Sequence, residues 1–278
     1  MSLQNDIADF IQQAASRIPE DIRLVMGNAT KTLIESGIAD LGPKVGDKAP
    51  GFSLPNARGE TVDIADKLKD GPVVVSFYRG GWCPYCNLEL RALQQKLPEV
   101  EDLGASLVAV SPETPDHSLS TTEKNELQFE VLSDVGNVVA RDFNLVFEVA
   151  EELRPIYDKF GIDIPGHNGD DTFEIPMLAT YVIDTDGTVL HAFVDADYTK
   201  RMEPGALVCI YSAAAFPLSK YGTERHDRRC EQGRPRLLRR ARHVRDPALA
   251  AGHLRLRRRY LHRRHRPGRG DRAGAGQG

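Results

Sequence analysis

The chain has 278 residues, of which 41% are hydrophobic, and a formal net charge of −4. Residues 1–212 hold 17 Lys and Arg against 35 Asp and Glu, a net of −18, whereas residues 213–278 hold 19 against 5, a net of +14. Four cysteines are too few for a disulfide scaffold, and no apolar run approaches the about 18 residues of a membrane-spanning helix. The N-terminus lacks the basic start and apolar stretch of a secretory signal, so we expect a cytoplasmic protein.

The apolar pattern along the chain predicts an α/β domain. Residues 2–40 show helical spacing and predict two amphipathic helices, and Gly and Pro then punctuate a short strand and a turn at 41–64. The following elements are predicted as a buried strand at 72–78, a helix from 84 to about 101, a strand at 106–111, a helix at 114–126, a short strand at 129–134, helical patches at 136–143 and 149–160, and two strands within 178–195 around Asp186-Gly187. A parallel β-α-β half followed by an antiparallel hairpin half predicts a thioredoxin-like fold, a central mixed sheet flanked by helices.

Three regions are expected from these patterns. Residues 1–43 form a helical N-terminal extension, residues 44–216 the thioredoxin-like domain, and residues 217–278 an Arg-rich tail without apolar periodicity. One interpretation of the tail is an arm that binds nucleic acid or another polyanion. The abrupt change in composition favours the other, a disordered or out-of-frame C-terminus from a GC-rich coding sequence. We therefore do not expect nucleic acid as a partner.

Two cysteines two residues apart lie between the buried strand and the predicted helix, in "FYRGGWCPYC". Pro is favoured at the first helical position, so Pro84 marks the helix start and Cys83 becomes the N-cap. A thiolate there can accept a hydrogen bond from the N–H groups of the first turn. The positive helix end and nearby Arg79 are expected to lower the pKa of both cysteines below the about 8.5 of a free thiol.

The spacing along the helix distinguishes the two sulfurs. Cys86 shares one helical face with Leu90, Leu93 and Leu97, and this face must pack on the sheet. We expect Cys86 to be the more buried sulfur and Cys83 the more exposed one. Two cysteines in one turn can also form a disulfide without large backbone movement.

Three interpretations of the pair compete. Two structural thiols fit poorly, because Cys83 falls at a helix cap and not within the core stripe. A zinc site needs four ligands, and no second close pair of Cys or His follows. A redox pair is favoured, and no motif for a metal, nucleotide or flavin is present, so we expect no cofactor.

Four segments resemble the alkyl hydroperoxide reductase/thiol-specific antioxidant family, the peroxiredoxins and their thioredoxin-like relatives, over about residues 44–204. They are "VGDKAPGFSLPNARGE" for the opening strand and turn, "VVVSFYRGGWCPYC" for the active-site strand and loop, "VLSDVGNVVARDFNL" for the middle of the domain and "ATYVIDTDGTV" for the closing hairpin. The resemblance implies a thioredoxin-like fold, a peroxide substrate, and recycling by thioredoxin or a similar dithiol. It leaves a homodimer open.

The residues around the pair combine two patterns. Peroxiredoxins carry Pro-x-x-x-Thr-x-x-Cys, and alignment of its Cys on Cys86 puts Arg79 at the Pro position and Cys83 at the Thr position. The family's peroxide-binding Arg then falls near Leu178. Thioredoxins carry Trp-Cys-x-x-Cys, which "WCPYC" matches, with Cys83 as nucleophile and Cys86 as resolving partner. Pro176 is the candidate for the cis-proline that faces the thioredoxin disulfide.

Two functions follow from this combination. In a thiol peroxidase, a thiolate attacks hydrogen peroxide or an alkyl hydroperoxide, becomes a sulfenic acid and condenses with its neighbour to a disulfide that thioredoxin reduces. The alignment favours Cys86 as the attacking sulfur, whereas capping and exposure favour Cys83, and both stay open. The flanking segments favour this function.

The alternative is a disulfide oxidoreductase acting on protein or small thiols, without significant peroxidase activity. Cys83 would attack and Cys86 would release the mixed disulfide. The surface offered to a substrate or partner is expected to include Arg79, Trp82, Tyr85 and Pro176. Solvated surface is the simpler expectation for Arg154, His167 and Arg201.

Overall fold

The computed structural model describes residues 2–207. The Arg-rich tail and the last residues of the predicted domain lie outside the described residues. The helices in the described part are α1 (Leu3–Ala15), α2 (Glu20–Glu35), α3 (Ile64–Asp70), α4 (Pro84–Glu101), α5 (Pro115–Lys124), α6 (Val138–Asp142), α7 (Arg154–Lys159) and α8 (Ile164–Asn168). The strands are β1 (Ser53–Pro55), β2 (Thr61–Asp63), β3 (Val73–Phe77), β4 (Ser106–Ser111), β5 (Glu130–Ser133), β6 (Val146–Glu148), β7 (Glu174–Pro176), β8 (Leu178–Ile183) and β9 (Val189–Asp195).

A five-stranded mixed sheet in the order β5-β4-β3-β8-β9 forms the centre of the molecule. β3 pairs parallel with β4, and β4 with β5, whereas β8 is antiparallel to both β3 and β9. Every residue of β3 is buried, as the continuous apolar run predicts for a central strand. The parallel half and the hairpin half therefore meet at β3, the strand that leads into the cysteine pair.

The two faces of the sheet bury separate cores because side chains alternate along each strand. Val73, Val75 and Phe77 of β3 face the core that includes residues of α3 and α6. Val74 faces the opposite core, where the apolar stripe of α4 packs. This second core holds both cysteines, so the long helix and its cysteines are fixed by packing on the sheet.

The two N-terminal helices pack on this body close to the start of α4. Ser2 caps α1, and Leu3 and Ile7 are buried. The ring of Phe10 meets the ring of Tyr85 edge-on, with centroids 5.1 Å apart. Apolar residues of α2 pack on a third cluster that includes residues of α7 and β7. The predicted extension thus contacts the part of the body that carries the cysteines.

The structure confirms the predicted helices and strands and differs in the short elements. The helical patch predicted at 149–160 is a 3₁₀ turn followed by α7, in which Pro155 occupies the first turn. The sequence did not predict α3, the second strand of the β1-β2 pair, the paired strands β6 and β7, or α8. These elements have three to seven residues and are too short to show a clear periodicity. Over residues 2–207, no helix combines the length and apolarity needed to span a membrane.

Candidate active site

The cysteine pair lies where the central strand turns into α4. Pro84 occupies the first turn of the helix and Cys83 is its N-cap, as predicted. In the preceding loop, Gly80 has a φ of 148°, a conformation that residues with a side chain rarely adopt. A Cβ on Gly81 would lie only 2.0 Å from the hydroxyl oxygen of Thr121. The loop therefore needs glycine at both positions to hold the cysteines at the positive end of the helix.

Both cysteines are free thiols, and both are buried. Cys83 is 2% exposed and Cys86 is 0% exposed, so the predicted difference in exposure is nearly absent. Aromatic side chains, including Tyr85 and Tyr198, pack against the core cluster that contains both sulfurs. Cys83 nevertheless lies on the wall of a cleft of about 770 Å³, whereas Cys86 does not line it. The cleft gives a small molecule a route to Cys83.

The pKa values of the two thiols shift in opposite directions. Burial raises the pKa of Cys83, but a hydrogen bond from the Cys86 thiol opposes this effect. The positive charges of Arg201 and Arg79 lower it further, to about 6. Burial raises the pKa of Cys86 well above its ordinary value, and the interaction with Cys83 adds to the effect. At neutral pH Cys83 is the thiolate and Cys86 the neutral thiol, so the prediction of a lowered pKa is wrong for Cys86.

The N–H groups of the first turn of α4 contribute little to the stability of the Cys83 thiolate. The Cys83 side chain makes no hydrogen bond that caps α4. The backbone N–H of Cys86 is the smallest of the influences that lower the pKa of Cys83. The thiolate is therefore stabilised mainly by its thiol neighbour and by the two guanidinium groups.

Arg201 lies against the buried sulfur and not on the solvated surface that the sequence predicts. It is 4% exposed, and its Nη2 donates to the Sγ of Cys86 at 3.6 Å. Its Nε lies 2.6 Å from Oε2 of Glu89, which is also buried and follows Cys86 by about one helical turn. Burial raises the pKa of Glu89 to about 7, although Arg201 opposes the shift.

Arg79 is buried beside the pair, as its position in the sequence predicts. Its guanidinium carbon lies 4.9 Å from the ring centroid of Tyr198 and 5.3 Å from that of Phe147. Contacts of this kind hold a cation over aromatic faces without a counter-ion. The ring of Trp82 lies 5.8 Å from that of Tyr157. Arg79 and Trp82 both line the cleft, as does Cys83.

Tyr85 and Pro176 were both predicted to belong to the substrate or partner surface, and only Tyr85 lines the cleft. Tyr85 lines the cleft and packs on Phe10 and Tyr198. Pro176 is buried at the end of β7, opposite Val146, and does not line the cleft. Four of the six predicted site residues, Arg79, Trp82, Cys83 and Tyr85, therefore line one cleft, whereas Cys86 and Pro176 do not line it.

A guanidinium reaches the cysteines from a position that the alignment does not indicate. Leu178, near which the family's Arg falls, is buried in the same core cluster as the cysteines. Arg201 supplies the positive charge next to Cys86 instead. Nothing local in the sequence marks Arg201, whereas Glu89 was detectable as a charged residue next to the buried stripe of α4.

A second buried cluster was also missed. Glu113 is completely buried and accepts hydrogen bonds from the hydroxyls of Tyr78 at 3.5 Å and Thr121 at 3.3 Å. Its other oxygen lies 2.8 Å from Nδ1 of His167, which is only a quarter exposed. These groups come from four separate segments, so sequence spacing could not join them. Trp82 borders the cavity of about 330 Å³ that His167 also lines.

A mixed sheet of thioredoxin-like topology that carries a thiolate and a neutral thiol in one helical turn defines a dithiol redox protein. In residues 2–207, no group of three His, Cys, Asp or Glu side chains is placed to hold a metal ion. The AhpC/TSA family sequence profile matches residues 45–192. The chain belongs to this family and has its peroxiredoxin-like, thioredoxin-like fold, as the resemblance implied.

Individual relatives agree with this assignment. Peroxiredoxin Bcp of Escherichia coli is 30% identical over 152 residues, which cover 55% of this chain and 86% of the relative. A putative peroxiredoxin of Mycobacterium tuberculosis is 28% identical over 147 residues, 53% of this chain and 82% of the relative. A variant of peroxiredoxin 6 from Arenicola marina has a similar fold, with a TM-score of 0.53 and 14% identity over 64% of this chain and 76% of that one.

Proposed function

We propose that this protein is a thiol peroxidase that reduces hydrogen peroxide or alkyl hydroperoxides through Cys83 and Cys86. The observation that carries the proposal is the polarised pair at the start of α4, a thiolate beside a neutral thiol on the wall of a cleft. Membership of the AhpC/TSA family supports a peroxide as the oxidant. Two relatives with peroxiredoxin names support the same reaction type.

Cys83 is the sulfur that attacks in this proposal. Only the thiolate is an effective nucleophile, and the lowered pKa places the thiolate on Cys83. Cys83 also lines the cleft, whereas Cys86 is completely buried and has a raised pKa. These observations outweigh the alignment, which places Cys86 at the position of the peroxiredoxin cysteine.

The reaction then has two chemical steps. The Cys83 thiolate forms a bond to the nearer peroxide oxygen, the O–O bond breaks, and the second oxygen leaves as an alkoxide or hydroxide that takes up a proton. The Cys86 sulfur next attacks the Cys83 sulfenic acid, its thiol proton is lost, and water leaves as the disulfide forms. Arg201 donates to the Cys86 sulfur and so stabilises the negative charge that this sulfur develops.

A thiol reductant closes the cycle. It attacks the disulfide, and two thiols of the reductant are converted to one disulfide as Cys83 and Cys86 return to the reduced state. Thioredoxin or a similar dithiol is the reductant that the family resemblance implies. The overall reaction converts a peroxide and two thiols to an alcohol or water, a further water and a disulfide.

The same pair supports a second candidate function, a disulfide oxidoreductase. The observation in its favour is a thiolate on the first cysteine of "WCPYC", the sulfur that would attack a substrate disulfide. The 2% exposure of Cys83 argues against a protein disulfide as the substrate, because a mixed disulfide needs access along the S–S axis. The peroxidase is therefore the better supported of the two.

The decisive experiment uses Trp82, the only tryptophan and the neighbour of Cys83. The reduced full-length protein is mixed with hydrogen peroxide or cumene hydroperoxide in a stopped-flow fluorimeter, next to its Cys83→Ser and Cys86→Ser variants. We expect a fast change in Trp82 emission that disappears in Cys83→Ser, and accumulation of a sulfenic acid in Cys86→Ser. A rate no higher than that of free cysteine with both peroxides would overturn the peroxidase.

A further inference from the structure

The N-terminal helices help to build the cleft that leads to Cys83. α1, α2 and the turn between them contribute Phe10, Ile11, Ala14, Arg17, Arg23 and Met26 to its lining. Its volume of about 770 Å³ is typical of sites that hold an organic molecule. Hydrogen peroxide is scarcely larger than water and does not require such a space. The cleft therefore has the size for an organic reactant, either an alkyl hydroperoxide or a thiol reductant, and the charge of its lining distinguishes the two.

Contacts at both ends fix α1 over the site. The ring of Phe10 packs on Tyr85, two residues beyond Cys83. The first turn of α1 binds the other end of the domain, because the Gln4 side chain donates to the carbonyl of Arg201 at 2.8 Å. α1 therefore forms one wall of the cleft, and a small molecule in the cleft has access to Cys83.

The positive charge of the side chains that line the cleft favours an anionic ligand. Besides the sulfur of Cys83, the charged lining residues of the cleft are Arg17, Arg23 and Arg79, and no Asp or Glu lines it. Arg79 is 5% exposed, and its Nε has no hydrogen-bond partner among residues 2–207. An unpartnered buried donor calls for an acceptor. The remaining lining is mainly aromatic and aliphatic, so the complementary ligand is a small organic anion with some apolar surface.

We propose that this cleft binds a low-molecular-weight thiol carrying a carboxylate, and that this thiol reduces the Cys83–Cys86 disulfide. The inference rests on the proposed function for the origin of that disulfide. Arg17 and Arg23, exposed at the cleft, hold the carboxylate, and Arg79 lies deeper, beside the reacting sulfur. A peptide thiol with carboxylate groups has the size and charge that the cleft accepts.

The chemistry balances with two molecules of this thiol. The first attacks the Cys83 sulfur as a thiolate and forms a mixed disulfide, and Cys86 leaves as a thiolate next to the Arg201 guanidinium. The second thiolate attacks the sulfur of the bound thiol in the mixed disulfide, which forms the small-molecule disulfide and releases the Cys83 thiolate. Cys86 takes up one proton, so the reduced pair returns to its starting state.

The test separates reduction from peroxide chemistry by oxidising the full-length protein with diamide. Reduction is then followed through Trp82 emission with three small thiols, the anion 3-mercaptopropionate, neutral 2-mercaptoethanol and the cation cysteamine. Each rate is divided by the concentration of the ionised thiol, so that the three thiols are compared as thiolates. We expect 3-mercaptopropionate to react fastest with the wild-type protein. Its rate should fall about 3- to 10-fold in the Arg17→Gln/Arg23→Gln double variant, as expected for two exposed charge interactions. The loss should disappear at high salt.

Two controls define the outcomes. Arg58→Gln removes an exposed arginine that does not line the cleft, and should leave all three rates unchanged. Rates with 2-mercaptoethanol should change less than twofold in the double variant. The proposal is overturned if thioredoxin reduces the disulfide and the small thiols do not, or if the double variant slows all three equally. Failure of the proposed function shows differently, as a reduced protein that does not respond to peroxide while the diamide-oxidised protein still responds to thiols.

Discussion

The Nη2 of Arg201 lies 3.6 Å from the Sγ of Cys86, and the Nε of the same side chain lies 2.6 Å from a carboxylate oxygen of Glu89. One buried cation thus serves two acidic groups on successive turns of α4. Neither acidic group is solvated, so the loss of the cation affects both. Stability and thiol chemistry are therefore coupled through this arginine.

Removal of this cation should be costly for stability. Arg201→Met leaves the Glu89 carboxylate buried without its partner, and we expect the free energy of unfolding at pH 7.5 to fall by about 3 kcal/mol. Urea denaturation of the reduced protein measures it. Arg201→Met/Glu89→Leu removes the stranded charge and should recover at least half of the loss. Equal losses in the single and double variants would contradict this account, and Arg58→Met serves as the exposed control.

Replacement of Glu89 by Gln should change the pH dependence of stability. The pKa of Glu89 is raised from 4.5 to about 7, so the folded protein binds the Glu89 proton more tightly than the unfolded chain does. The stability that this proton contributes is complete below pH 4.5 and is lost as the pH rises through 7. Gln stays neutral at every pH. The free energy of unfolding of Glu89→Gln should therefore rise by about 3 kcal/mol relative to that of the wild type between pH 4.5 and 8. Urea denaturation at several pH values measures the difference. A difference that does not vary with pH would refute the prediction, and exposed Glu123→Gln is the control.

The reactivity of Cys83 should follow the charge on Arg79. Alkylation by iodoacetamide, located by mass spectrometry of the Cys83 peptide, should reach half its maximal rate near pH 6 in the wild-type protein. Arg79→Gln removes a charge that stabilises the thiolate, and we expect the midpoint to rise by about one pH unit. Arg58→Gln should leave it unchanged. A midpoint near that of free cysteine in the wild type would show that Cys83 is not the thiolate.

Replacement of two glycines by alanine should change the stability of the protein in opposite directions. Gly81→Ala places a methyl group 2.0 Å from the hydroxyl oxygen of Thr121, and should destabilise the protein by about 1–3 kcal/mol. Gly27→Ala lies within α2 with nothing within 4 Å of the new methyl group, and should stabilise it by about 0.5–1 kcal/mol. Urea denaturation of both variants checks the pair. An unchanged Gly81→Ala variant would show that the active-site loop adapts freely.

Local patterns predicted the central part of the fold. The continuous apolar run of β3 and the proline after Cys83 placed the start of α4 correctly. The Asp186-Gly187 turn gave the closing hairpin, and Gly187 does have the positive φ that such turns require. Each of these elements depends on residues adjacent in sequence, so their identities alone were sufficient.

Long-range contacts explain what could not be predicted. Arg201 meets Cys86 across 115 positions, and Glu113 meets His167 across 54. No spacing rule joins residues so far apart without an alignment of relatives. The near-complete burial of Cys83 has the same origin, since aromatic residues from distant segments, among them Tyr198, pack beside the helix cap.

The hydrogen bond from Gln4 to the carbonyl of Arg201 joins positions 197 residues apart. A chain that is still growing on the ribosome already carries Arg79 and both cysteines when less than half of the domain has been made, but it lacks Arg201, the arginine with the larger effect on the pKa of Cys83. During that interval the pair has the reactivity of ordinary thiols in an unfolded peptide. The lowered pKa of the Cys83 thiol is therefore a property that the pair acquires only after residue 201 has been made, when the first turn of α1 can bind the carbonyl of Arg201.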